Sequence, residues 1–103
     1  MATDMGAWSE TKDATEETQT ICDQVKDQVE KRTGENYRVY KAVKYRDLHL
    51  CGGTHYLIKV DVGEDYDHLS VNQVTGSQFP SPPSLSGVEQ HKTKDDPFLP
   101  FTY

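Results

Sequence analysis

Cys51 and three of the four histidines are the residues whose types could support catalysis or metal binding. A thiol beside the imidazole of His55 or His91 could act as a nucleophile. His49, Cys51 and His55 are also ligands of the kinds that bind zinc, although a fourth ligand is not evident. Free cysteines are common and only a minority are catalytic. The sequence therefore predicts no enzyme, no metal site and no cofactor.

Two further motifs have structural explanations. Asp61, Asp65 and Asp67 surround a predicted turn, but they lack the spacing and the closing Glu of a calcium-binding loop. Gly52-Gly53 lies between two predicted strands, whereas a phosphate-binding loop joins a strand to a helix. A turn that needs a positive φ explains this pair of glycines.

Length and charge exclude several classes of protein. The chain has 103 residues, which suffice for one domain over 1–103, and its formal net charge is −6 with Lys and Arg scattered. This pattern gives no basic surface for nucleic acid, and no window approaches the roughly 18 apolar residues of a membrane span. Residues 1–10 lack the basic start and apolar run of a secretory signal, so we expect a cytoplasmic protein. Two free thiols, Cys22 and Cys51, fit that compartment, and a bridge between them is left open.

The elements that must position these residues begin with one helix. Residues 1–12 show no periodicity and are predicted to form a flexible N-terminal arm. Asp13 and Glu16 have capping-box spacing, and Gly34 supplies a left-handed stop, which predicts a helix between them. One narrow apolar stripe runs along it, and it needs a larger apolar face to cover it. The stripe consists of Ala14, Thr18, Ile21, Cys22, Val25 and Val29.

After Gly34 the hydrophobic period shifts toward two, which predicts strands. The first strand mixes its two phases and so predicts a bulge or bend, and the second alternates like a half-buried antiparallel strand. Residues 75–84 contain Pro80, Pro82 and Pro83 and are predicted to form a loop. Consecutive strands with short turns predict an α+β domain whose antiparallel sheet wraps around the helix. The predicted strands are Tyr37–Leu50, Thr54–Val62, Tyr66–Val74 and Leu85–Lys92.

Several segments resemble one known family. They are Glu17-Thr18-Gln19 and Asp23-Gln24-Val25 in the helix, then Val39-Tyr40-Lys41-Ala42-Val43, Gly53-Thr54-His55-Tyr56-Leu57-Ile58-Lys59-Val60 and Asp67-His68-Leu69-Ser70-Val71 in the strands. Together they look like a type 1 cystatin, or stefin, over about residues 6–103. The resemblance implies the cystatin fold, in which about five antiparallel strands wrap around one long helix and the first strand comes from the arm near Trp8.

The resemblance also implies a function. Type 1 cystatins inhibit papain-like cysteine proteases of the cathepsin type reversibly, by entering the active-site cleft with the N-terminal arm and two hairpin loops. We expect a monomer, with a strand-exchanged dimer left open. The implied protease-binding residues are Gly6, His49, Leu50, Cys51, Gly52, Gly53, Val74, Thr75, Phe79 and Pro80.

The chain departs from the family's loop motifs at specific positions. His49 replaces Gln and Cys51 replaces Val in the Q-x-V-x-G motif, of which Gly53 remains. The second loop has Phe79-Pro80 several residues after Val74, where the family places Leu-Pro or a similar pair. The alternative hypothesis is therefore an interaction protein with the cystatin fold, whose loops serve a partner other than a protease.

Overall fold

A computed structural model of the chain describes residues 8–50, 52–74 and 82–95, apart from the side chain of residue 50. These residues form a single antiparallel sheet in which the strands follow one another in sequence order, with the helix between the first two. This arrangement confirms the predicted α+β fold. The elements are β1 (Lys12–Asp13), α1 (Glu16–Thr33), β2 (Lys41–Leu50), β3 (Gly53–Asp61), β4 (Tyr66–Val74) and β5 (Ser84–Lys92).

The helix begins later than the sequence predicts. The Thr15 hydroxyl accepts a hydrogen bond from the backbone N–H of Thr18, and the Thr18 hydroxyl accepts one from the backbone N–H of Thr15, both at 3.3 Å. The predicted capping box of Asp13 and Glu16 is wrong, because Asp13 pairs with β2 as part of β1. Gly34 ends the helix in the left-handed conformation with φ 76°, as predicted.

The apolar stripe of α1 packs against one face of the sheet. Thr18, Ile21, Cys22, Val25 and Val29 are buried, and Ala14 packs at the margin of the core. Each fully buried aliphatic side chain contributes about 1.5–3 kcal/mol relative to exposure. The predicted role of the stripe is therefore confirmed. The residues that the sheet contributes to this core are Ala42, Tyr56, Ile58, Val60, Leu69, Val71 and Leu85.

Two polar side chains attach the helix to β5 and to the start of β2. The Gln19 amide donates a hydrogen bond to the carbonyl of Tyr40 at 3.1 Å and accepts one from the N–H of Ala42 at 2.8 Å. Near the other end of α1, the Arg32 guanidinium donates to the carbonyl of Ser86 at 3.0 Å. The helix thus connects the start of β2 with β5, two strands that β3 and β4 separate in the sheet.

The first long strand contains the irregularity that its mixed phase predicts. The register of β2 against β3 shifts between Ala42 and Lys44, so Val43 is the extra residue. The strand is shorter than predicted, since it starts at Lys41 and leaves Tyr37 and Tyr40 in the connection from α1.

Strand β3 is buried on both faces, so the prediction of a half-buried strand is wrong. Leu57 is fully buried although it alternates with the core residues Tyr56 and Ile58. On the same outer face, the Lys59 ammonium donates to the carbonyl of Lys94 at 2.7 Å. Segments remote in sequence cover this face, and alternation within β3 alone cannot reveal them.

The described part of the chain contains no helix with the length and hydropathy of a membrane span.

Candidate functional site

The strand register brings three of the predicted site residues together at one end of the sheet. Leu50 pairs with Gly53 across the β2–β3 hairpin, and Gly53 pairs with Val74 of β4. Asp61 pairs with Tyr66 at the other end of β3, about 26 Å away by strand rise. We call His49, Leu50, Gly52, Gly53 and Val74 the loop edge.

Half of the predicted site residues lie outside the described residues. These are Gly6, Cys51, Thr75, Phe79 and Pro80, and of Leu50 only the backbone is described. Their assignment to the site remains a prediction.

The two glycines of the hairpin are required for different reasons. Gly52 has φ 87° with open space around it, so it is the residue that makes the turn. Gly53 does not have a positive φ, but a Cβ on it would lie 2.8 Å from the carbonyl oxygen of Gln73 on β4. Gly53 thus allows β3 and β4 to approach closely at the loop edge.

His49 presents an exposed imidazole on the hairpin. Its side chain is 75% exposed, and its Nε2 lies 3.6 Å from a carboxylate oxygen of Asp47. Its Nδ1 lies 3.3 Å from the hydroxyl of Thr54 on the facing strand. These contacts hold the ring on the face of β2 that carries Asp47, while the solvent-facing side of the ring is available to a partner.

Val74 adds an apolar contact to the loop edge. It is 47% exposed at the end of β4, whereas the aliphatic residues Leu69 and Val71 of the same strand are fully buried. An exposed aliphatic side chain beside a hairpin tip is suited to burial against a partner.

The N-terminal arm runs toward the loop edge along β2. Because β1 is antiparallel to β2, the chain before Lys12 proceeds toward Leu50. Ser9 follows this course: its backbone N–H donates to the carbonyl of Asp47 at 2.8 Å, and its hydroxyl accepts from the N–H of Asp47 at 3.0 Å. In addition, the Arg46 guanidinium donates to the carbonyl of Ser9 at 2.8 Å. The resemblance implies a first strand near Trp8. The first strand instead lies at Lys12–Asp13.

Comparison with known proteins identifies the family. Residues 6–94 match the model of the cystatin domain. The chain belongs to the cystatin family. It is 42% identical to human cystatin-B over 92 residues, which are 88% of this chain and 92% of that protein. It is 39% identical to bovine stefin-C over 93 residues, 89% and 90% of the two chains, and 40% identical to Dictyostelium discoideum cystatin-A3 over 83 residues, 81% and 83%. These relatives support the stefin, or type 1, branch of the cystatins.

The buried thiol of this cystatin is not a reactive site. Cys22 is free and fully buried in the core. Cys51, the other half of the bridge that the sequence leaves open, lies outside the described residues. Burial raises the pKa of the Cys22 thiol, which disfavours the nucleophilic thiolate. Among the described residues no group of three or more His, Cys, Asp or Glu could hold a metal ion. The zinc hypothesis also needs Cys51, which is outside those residues.

One contact of the N-terminal arm was missed from the sequence. The ring of Trp8 packs against His55 of β3, with centroids 5.2 Å apart and planes tilted by 53°. Trp8 is the one tryptophan of the chain and stands in a polar segment without periodicity, which is a signal for a specific contact. No sequence pattern identifies His55 as its partner.

A cavity of about 320 Å³ lies at the opposite end of this cystatin. It is bordered by the connection between α1 and β2, by the β3–β4 turn and by the end of β5. There the Tyr37 hydroxyl donates to Asp67 at 2.7 Å, and a ring nitrogen of His91 lies 2.8 Å from Asp65. His91 therefore lies far from the loop edge, which argues against a shared site with Cys51.

Proposed function

We propose that this cystatin is a reversible, competitive inhibitor of papain-like cysteine proteases of the cathepsin type. In this proposal the N-terminal arm with Gly6, the hairpin His49–Gly53 and the segment from Val74 through Thr75 to Phe79 and Pro80 enter the active-site cleft. The observation that carries the proposal is the register of Leu50, Gly53 and Val74, together with the direction of the arm at Ser9.

The physical basis of inhibition is obstruction by a rigid edge. The hairpin tip is connected to long paired strands that α1 supports, so docking costs little conformational entropy. The exposed side chain of Val74 supplies apolar area that a cleft wall can bury. An inhibitor of this kind blocks the cleft without presenting a correctly placed peptide bond for cleavage, and it is not itself an enzyme.

The changed loop residues bear on the strength of inhibition. The imidazole of His49 cannot present a side-chain amide as the Gln of the family motif does. A hydrogen bond lost in this way costs about 1–3 kcal/mol when its partner stays unpaired, or roughly 5- to 150-fold in affinity. We therefore propose weaker binding than the family motif would give.

The same departures support a second candidate, an interaction protein whose loops serve a partner other than a protease. The observation that favours it is the exposed imidazole of His49, held by Asp47 and Thr54. The double variant His49→Gln with Cys51→Val separates the two. A large gain of inhibition from near zero favours the second candidate, whereas a modest gain over measurable inhibition favours the first.

The cellular setting is part of the proposal. We propose a cytoplasmic protein that acts as a monomer, with a strand-exchanged dimer as the alternative state, and that uses no cofactor, nucleic acid or membrane. The net charge of −6 and the identities to stefins support this setting.

The test is a titration of papain and a cathepsin-type protease with the intact chain. We expect competitive inhibition that dilution reverses, and no inhibition at micromolar concentration would refute the proposal for these enzymes. Two valines provide matched variants, since Val74 and Val39 are 47% and 45% exposed but Val39 lies before β2, at the end away from the loop edge. Val74→Asp should weaken inhibition by about tenfold or more, because an unpaired carboxylate would be buried, and Val39→Asp should leave it unchanged.

A further inference from the structure

Trp8 is fixed to the outer face of the sheet by a contact with one specific side chain, that of His55. Its ring packs on His55, which lies on the face of β3 opposite the helix. The other side of His55 is fixed as well, since its Nε2 lies 2.6 Å from the hydroxyl of Ser70 on β4. Burial lowers the pKa of His55 and so favours the uncharged ring, which suits an aromatic contact.

Ser9, the residue after Trp8, is held to β2 by hydrogen bonds. The three hydrogen bonds of Ser9 to Asp47 and Arg46 all involve backbone groups, so they fix the course of the chain. They lie beyond the two-residue strand β1 and extend its pairing toward the loop edge. Ser9 is thus held beside Asp47, three residues before Leu50 at the end of β2.

We infer that Trp8, His55 and Ser70 form an anchor that makes them positioning residues for inhibition, because the anchor fixes the point from which the chain continues to Gly6. This inference rests on the proposed function. We call these three residues the arm anchor. None of them belongs to the hairpin or the second loop of the family's binding motif.

The size of the effect follows from the length of free chain. Gly6 is two positions before Trp8 but six before Lys12, where β1 begins. Effective concentration at a target falls roughly as the −3/2 power of tether length. If the chain is free up to Lys12 instead of up to Trp8, the effective concentration of Gly6 at its target falls about 5-fold. If it is free only up to Ser9, the fall is about 2-fold.

The first experiment tests the anchor without a protease. Trp8 is the single tryptophan, so its fluorescence reports the arm directly. His55→Ala should increase quenching of Trp8 by acrylamide, whereas His91→Ala, an exposed histidine at the opposite end, should not. Equal quenching in the wild type and in His55→Ala would overturn the anchor. This result remains interpretable even if the wild-type chain inhibits no protease, in which case the proposed function fails and the anchor is judged by fluorescence alone.

The second experiment tests the positioning role by a double-mutant cycle. In the full chain, His55→Ala should weaken inhibition about 2- to 5-fold, mainly through faster dissociation, and combination with Trp8→Ala should add little. In a chain that lacks residues 1–7, His55→Ala should have no effect on inhibition. A loss of equal size in both backgrounds would show only a structural role and would overturn the inference. Thermal unfolding of each variant shows that the domain remains folded.

Discussion

Gly53→Ala is the substitution that most directly tests the geometry of the loop edge. The new Cβ would lie 2.8 Å from the backbone carbonyl oxygen of Gln73 and 3.6 Å from the Cα of Val74. Ordinary van der Waals contact begins at 3.4 Å, so the two strands must separate by about 0.6 Å. Because the obstructing atom belongs to the backbone, a side-chain rotation cannot relieve the contact. The end of β4 that carries Val74 must move.

The expected loss of stability is moderate. Overpacking of a well-packed region costs about 1–3 kcal/mol. The smaller conformational freedom of Ala in the unfolded chain offsets about 0.4–1 kcal/mol of this cost. We expect a net loss of about 1–2 kcal/mol, which lowers the Tm of a domain of this size by about 4–16 °C. Inhibition of a papain-like protease should also weaken, by about tenfold, because the hairpin and Val74 are displaced relative to each other.

Gly63→Ala is the matched control at the other end of the sheet. Gly63 has φ 102° in the β3–β4 turn, and a Cβ there would make an ordinary 3.5 Å contact with Val39. An L-residue in the left-handed region costs about 1–2 kcal/mol, so the loss of stability is comparable. Denaturant unfolding and inhibition are measured on both variants at a temperature where both are folded. An unchanged stability of Gly53→Ala would refute the close approach, and an equal loss of inhibition in both variants would refute the role of the loop edge.

Three further predictions concern titration, the core and the helix cap. In an NMR pH titration, the pKa of His91 should lie above 6.5 because Asp65 bonds its ring, and the pKa of His55 should lie below 6.5 because of burial. Stability from His91 is then present below pH 6.5 and is lost as pH rises through its folded pKa, while the burial of His55 costs stability as pH falls from 6.5 through its folded pKa. Asp65→Asn should return the pKa of His91 toward 6.5, and no change would contradict the pairing. Ile58→Ala should cost about 2–5 kcal/mol in urea unfolding and Ile58→Val about 0.5–1.5, since the site is fully buried; similar values for both would contradict this packing. Thr15→Ala should cost about 1 kcal/mol in thermal unfolding, and no loss would contradict the cap.

The helix and the hairpins could be predicted because their signals are local. The spacing of Ile21, Val25 and Val29 fits the helical period, and Gly34 ends the helix where a left-handed residue is needed. The mixed phase around Val43 likewise predicts the bulge that shifts the register of β2. In each case the residues that carry the signal also carry the structure.

The errors arose where a residue had competing local and distant partners. Asp13 is a suitable cap residue, but its pairing with β2 and an ion pair with Lys44 take precedence over capping. The outer face of β3 was predicted to be exposed, but contacts from Trp8 and Lys94 cover part of it. These partners are separated from β3 by dozens of residues, so a periodicity confined to the strand contains no information about them.

The candidate site could be predicted only in part, because the chemistry of its residues does not fix their geometry. A pair of glycines predicts a turn, yet it does not show that Gly52 makes the turn while Gly53 makes room for a carbonyl on another strand. The convergence of the hairpin with Val74 follows from the pairing of β3 with β4, which was predicted from their succession. The anchoring of Trp8 on His55 follows from neither.

The buried side chains that determine this fold and the exposed side chains proposed to bind proteases are separate sets. Ile58, Val60 and Leu69 are fully buried and set the packing of α1 on the sheet, whereas the side chain of His49 is 75% exposed and that of Val74 projects from the end of a strand. Exposed substitutions away from caps and cores usually change stability by less than about 0.5 kcal/mol. The exposed side chains of His49 and Val74 can therefore change without loss of the scaffold. The match to the cystatin domain over residues 6–94 identifies the family, while the proposed affinity for a protease depends on an edge that the scaffold positions but does not specify.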